Sequence, residues 1–77
     1  MKINIRQIIK DHNKKTGERV TQTSLAQEMF EAGIFKSRGS AMNMIQYNSN
    51  GKAQCLDVAL IEFLKYRFGL NLNEIIN

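Results

Sequence analysis

The chain has 77 residues, with 11 Lys or Arg against seven Asp or Glu, a formal charge of +4, and an apolar fraction of 43% with neither proline nor tryptophan. That is the length of one small domain, since domains usually run to ~100–150 residues, and it excludes a two-domain enzyme with a deep cleft between lobes. No apolar run approaches the ~18–20 residues that cross a bilayer. The opening Met1-Lys2-Ile3-Asn4-Ile5-Arg6 lacks the continuous apolar stretch of a signal peptide, so a cytoplasmic protein with no membrane partner is expected. A lone Cys55 cannot form an internal disulfide, and a lone His12 leaves no Cys/His zinc set, so no metal and no cofactor is expected. Positive charge is gathered in residues 1–52, where nine basic residues face four acidic ones; residues 53–77 carry two basic and three acidic. An excess on one part of a small domain is the footprint of a polyanion partner.

Apolar periodicity reads as helix nearly throughout. Ile5, Ile8, Ile9 and His12 fall at i, i+3, i+4 and i+7, giving a first helix over residues 3–14 with one buried stripe and His12 at its edge. Lys10, Lys14 and Lys15 lie off that stripe as a solvated face. Gly17 ends the helix. Thr21 caps a second helix over 21–32, with Val20 and Leu25 as a hydrophobic staple, Leu25, Met29 and Phe30 inward, and Gly33 at the end. Ser37 caps a third helix from Arg38 to Tyr47, with Ala41, Met44 and Ile45 inward and Arg38, Gly39, Ser40 and Asn43 outward. Met42 and Met44 are core filler. Gly39 costs this helix ~1 kcal/mol relative to Ala and leaves room for a close approach to the backbone.

Asn48-Ser49-Asn50-Gly51-Lys52 reads as a polar turn. A fourth helix over 54–67 carries an inward stripe of Leu56, Ala59, Leu60, Phe63 and Leu64, widened by Cys55 (a small buried hydrophobe), Val58 and Ile61. Such breadth marks either a central helix or one whose second face meets another chain. After Gly69, Asn71-Leu72-Asn73-Glu74 forms a capping box for a short last helix, with Leu70 and Ile75 as its staple. The expected fold is one all-α domain over 1–77, a bundle of about five short helices.

Val20-Thr21-Gln22-Thr23-Ser24-Leu25-Ala26 resembles the entry to the first helix of a helix-turn-helix, and Ser37-Arg38-Gly39-Ser40-Ala41 the start of a recognition helix. Phe68-Gly69-Leu70-Asn71-Leu72-Asn73-Glu74-Ile75-Ile76 resembles the closing segment of the Cro/lambda-repressor-like (XRE-type) DNA-binding domains. The resemblance spans residues 3–76 in element order. One departure is plain: family members usually carry Gly four residues after the Ala, where this chain has Phe30 and reaches Gly only at 33, so its turn is about three residues longer.

What the resemblance implies is a lambda-repressor-like fold and sequence-specific binding of double-stranded DNA, as a repressor-like transcription regulator of a bacterium, a phage or a mobile element. A recognition helix enters the major groove with its first turn at the base edges, and that turn's free N–H groups and partial positive charge suit phosphates. Base contacts are expected from Arg38, Ser40 and Asn43, because Arg pairs with guanine O6 and N7 and Asn with adenine N6 and N7. Backbone contacts are expected from Thr21, Gln22, Ser24, Lys36, Ser37, Gln46, Tyr47, Asn50 and Lys52, with Gln22 also bracing a side chain of the recognition helix. Such binders double their contact as two-fold dimers. Ile61, Tyr66 and Phe68 on the broad fourth helix are the expected homodimer interface. The alternative is a protein–protein interaction module, antitoxin-like or structural, reusing the same fold. No Ser/His/Asp set, phosphate-binding Gly motif or metal-ligand spacing supports an enzyme or a small-molecule ligand.

Overall fold

The Asn4 side chain accepts the Gln7 N–H at 3.0 Å and opens the first helix, α1 (Ile5–Thr16), which ends where Gly17 turns left-handed at φ +79°. The structure, a computed structural model, describes residues 2–52 and 57–76. Within them the chain is all-α, as the periodicity predicts: α1, α2 (Gln22–Glu31), α3 (Arg38–Tyr47), α4 (Val58–Phe68) and α5 (Leu72–Ile75). The described residues contain no strand, but Ile3 and Ile76 pair in an isolated antiparallel bridge. No helix among them is long and apolar enough to cross a membrane.

Thr21 caps α2 through a reciprocal pair: its hydroxyl accepts the Ser24 N–H at 3.0 Å, and the Ser24 hydroxyl accepts the Thr21 N–H at 2.9 Å. The far end of α2 explains the long connection to α3. Phe30 has a side chain that disfavours the left-handed turn, so the helix continues to Glu31. The turn waits for Gly33, at φ +77°. There the Gly33 N–H donates to the Phe30 carbonyl and the Ile34 N–H to the Met29 carbonyl at 3.1 Å, a Schellman closure. Residues 32–37 then span to Ser37, whose hydroxyl accepts the Ser40 N–H at 3.1 Å and starts α3 where predicted. Phe30 itself is 37% exposed and does not belong to the buried core.

The core gathers Ile5, Ile8 and Ile9 from α1, Leu25, Ala26 and Met29 from α2, Ala41 and Ile45 from α3, and Leu60, Ile61 and Leu64 from α4, closed by Ile3, Val20 and Ile75. Three expectations are corrected here. Ile61, expected at an interface between copies, is 5% exposed in this core, whereas Ala59, expected inward, faces solvent together with Val58. Asp57 caps α4 by accepting the Leu60 N–H at 2.9 Å, and the helix then buries Leu60, Ile61 and Leu64, with Phe63 partly buried beside them. The predicted residues 54–56 of this helix, with Cys55 and Leu56, lie outside the described residues. Asn48 and Ser49, read as the start of a polar turn, are buried.

That burial has a mechanical purpose. The Asn48 carbonyl accepts the Ile5 N–H at 3.0 Å, and the Ser49 carbonyl accepts the Arg6 N–H at 3.1 Å. The first N–H groups of a helix have no partner inside it; here the chain leaving α3 supplies them. The Asn48 amide donates back to the Met44 carbonyl at 2.9 Å, while its Oδ1 is buried without a partner among the described residues.

At the other end of α1, the Asn13 side chain clasps Val20 twice, donating to its carbonyl at 2.9 Å and accepting its N–H at 3.0 Å. Beside this clasp the Glu18 carboxylate bonds His12 Nε2 at 2.7 Å and accepts from Arg67 at 3.2 Å, and Arg67 Nε donates to Glu28 at 2.6 Å. His12 stands edge-on to Phe68, with ring centres 4.8 Å apart. One cluster therefore ties α1, the 17–21 connection, α2 and α4. The His12 and Arg67 bonds hold the Glu18 carboxyl below its ordinary value of 4.5, and the two glutamates, Glu28 foremost, push the Arg67 guanidinium up.

Two outcomes are expected. Asn13→Ala leaves two half-buried backbone groups of Val20 unpaired and costs about 1–3 kcal/mol in urea unfolding, with Asn13→Asp losing only the donated bond. Because the folded state lowers the Glu18 carboxyl, its contribution is complete above pH 4.5 and disappears as pH falls through the folded value. The melting-temperature gap between wild type and Glu18→Gln, followed by circular dichroism, therefore closes in acid; a gap independent of pH contradicts this role.

Candidate nucleic-acid interface

Ala41 and Ile45, both fully buried, anchor α3 against α2 and fix which side of it faces out. The outward line at helical spacing is Gly39, Asn43, Gln46 and Tyr47, with Ser40 beside it; all are exposed. Asn43 makes no hydrogen bond within the described residues, so both ends of its amide are free. Tyr47 is 61% exposed. The first turn of α3 contains no acidic residue. Over ten residues this face is ~15 Å long, one groove-sized ridge.

Arg38 sits at the edge of the ridge nearer α2. Its Nη1 donates to the Gln27 Oε1 at 3.3 Å. The expected brace, Gln22, is half-buried one helix turn earlier, and no hydrogen bond to α3 involves it; Gln27 takes that place. Gln27 was not singled out from the sequence, because nothing local distinguishes it from any exposed helix residue. Its signal is spatial: a residue of α2 facing the start of α3. Around this pair lies a shallow, mainly apolar depression lined by Thr23, Ala26, Gln27, Arg38, Gly39 and Met42. A Cβ on Gly39 would meet only the Ser37 hydroxyl, at 3.8 Å, and otherwise project into this open space.

The residues expected at phosphates divide. Lys36, Ser37, Asn50 and Lys52 are exposed, and Asn50 accepts the Lys52 N–H at 3.0 Å, fixing that turn. Ser24 is a correction: its hydroxyl accepts from the Thr21 N–H and donates to the Thr21 carbonyl, so it is taken up in the cap. Thr21 accepts there but keeps its own hydroxyl proton. Of the expected interface on α4, Ile61 is core and Phe68 is half-buried against His12. Only Tyr66, 89% exposed, stands clear.

Charge is sorted more sharply than the sequence totals suggest. Glu18 and Glu28 hold Arg67, Glu62 meets Lys65, Asp57 and Glu74 accept backbone N–H groups at helix starts, and Asp11 accepts the Gln7 amide. Six of seven acids are thus engaged, leaving Glu31. Among the described residues, no Lys or Arg of 2–52 forms an ion pair within 4.0 Å; the His12 ring meets Glu18. The net charge of this part is positive, nine Lys or Arg against four Asp or Glu. No group of three His, Cys, Asp or Glu side chains converges as metal ligands do among the described residues. The chain matches no protein-family model, no curated protein and no solved structure.

Gly39→Ala is expected to stabilise the fold by about 0.5–1 kcal/mol, since the added methyl makes only an ordinary contact with the Ser37 hydroxyl and the helix gains propensity. A rise in the urea midpoint without a change in slope is the outcome that checks it.

Proposed function

We propose that this chain is a cytoplasmic, sequence-specific double-stranded DNA-binding protein, a repressor-like regulator that inserts α3 into the major groove. The observation that carries this reading is the exposed leading turn of α3. Arg38, Ser40 and Asn43 lie open to solvent while Ala41 and Ile45, between and beyond them, are locked in the core. The major groove is ~12 Å wide and takes one helix with its side chains. Arg38, steadied by Gln27, is suited to guanine and the unpartnered Asn43 amide to adenine. The Gly39 backbone allows the helix start to come close. Lys36, Ser37 and Lys52 reach phosphates on the flanks, with Gln46, Tyr47, Asn50 and Thr21 beside them.

The apolar depression between α2 and α3 favours a second reading, a protein-interaction module in which a partner's side chain fills the space beside Arg38. Retention of a randomised duplex pool, followed by sequencing, separates the two: an enriched motif supports DNA reading, and a pool left random rejects it. A motif with two-fold symmetry would mark a homodimer on half-sites ~34 Å apart.

On an enriched site, Arg38→Ala is expected to relax preference at one position, a loss of about 1–3 kcal/mol of discrimination. Lys52→Ala weakens all sequences alike and makes the log–log salt slope shallower by about 0.9. Equal losses on specific and random duplexes for both variants contradict these assignments.

A further inference from the structure

We infer that the outer ridge of α1, formed by Arg6, Lys10 and Lys14, is a second contact for the phosphate backbone of duplex DNA, continuous with the α3 surface. The inference rests on the DNA-binding reading and extends it to a helix that the α3 contacts do not include. The three residues are four apart, so they stack in one row on the side opposite Ile5, Ile8 and Ile9, and all are exposed. No carboxylate lies within 4.0 Å of them among the described residues. The only acid on the helix, Asp11, accepts the Gln7 amide at 2.8 Å and lines a different depression, with Lys15 and Glu74.

The row is unfavourable for the helix that carries it. Like charges at i and i+4 repel, and Arg6 places a cation in a first turn that contains no acid, at the positive end of the helix dipole. Only Lys14, in the last turn, suits the dipole. A face kept for solubility intersperses both signs; this one does not. Its position supplies the occupant. The Arg6 N–H is bonded to the Ser49 carbonyl at 3.1 Å, so the row begins beside the end of α3, where Gln46, Tyr47 and Asn50 are exposed. From there it runs ~12 Å along α1, the axial length of about three to four phosphates of one strand.

The test is a salt titration of wild type and the Arg6→Gln/Lys10→Gln/Lys14→Gln variant by fluorescence anisotropy, on a random 30-base-pair duplex (a length of ~30) and on any enriched site. The expected result is that the variant binds both duplexes more weakly by the same factor, with the slope of log K against log salt shallower by about 2–3. An unchanged slope with wild type still binding overturns the inference alone; absence of duplex binding by wild type rejects the DNA reading itself. Anionic vesicles of phosphatidylserine and phosphatidylcholine serve as the competing surface, and loss of vesicle binding without loss of duplex binding also overturns the inference. The substitutions remove repulsion, so the variant is expected to melt no lower than wild type, and the same sample gives a valid binding measurement.

Discussion

Two backbone bonds set the frame of this molecule. The chain leaving α3 turns under the start of α1 and gives it the Asn48 and Ser49 carbonyls, replacing the water that would otherwise satisfy the Ile5 and Arg6 amides. Because both bonds are between main-chain groups and Ile5, Asn48 and Ser49 are buried, α3 cannot tilt without unsealing α1. Asn48 is fully enclosed for this reason despite being polar, and the Met44 carbonyl and sulfur both receive its amide. The exposed face of α3 is therefore carried on a support that extends beyond its own contacts with α2.

The second organising fact is where the acids go. A chain with seven carboxylates and eleven cations could scatter its charge evenly. Instead the carboxylates cap helices, hold one arginine between α2 and the 17–21 connection, or pair locally on α4. Arg67 is the clearest case, because two glutamates from separate segments converge on it and Phe68 offers its ring 5.5 Å from the guanidinium carbon. The Lys and Arg side chains of α1 and of the approach to α3 are left without an ion pair among the described residues.

Much of this is legible in the sequence. The Thr21 and Ser37 caps, the left-handed Gly17 and the Asn71–Glu74 box follow from local chemistry, which sequence carries directly. The outward set of Arg38, Ser40 and Asn43 followed from where Ala41 and Ile45 had to point. What the sequence does not mark mostly depends on other segments of the chain, although Ser24 is taken up by Thr21 only three residues before it. Asn13, Gln27 and Asn48 owe their roles to segments 7, 11 and 43 residues away, respectively. On α4 two apolar phases competed, and the cap at Asp57 together with the neighbouring helices chose the one that buries Ile61. The long α2–α3 connection was anticipated from Phe30 and Gly33, but its Schellman geometry was not.

The pairing of Ile3 with Ile76 joins residues 73 positions apart. Closing so wide a loop costs entropy that rises with the logarithm of its length, and no single bridge recovers that cost in an otherwise open chain. The bridge therefore forms on a bundle that has already assembled, where α1 and α5 have brought the two segments near each other. It ties the segment before α1 to the segment after α5, with Ile3 fully buried at the junction.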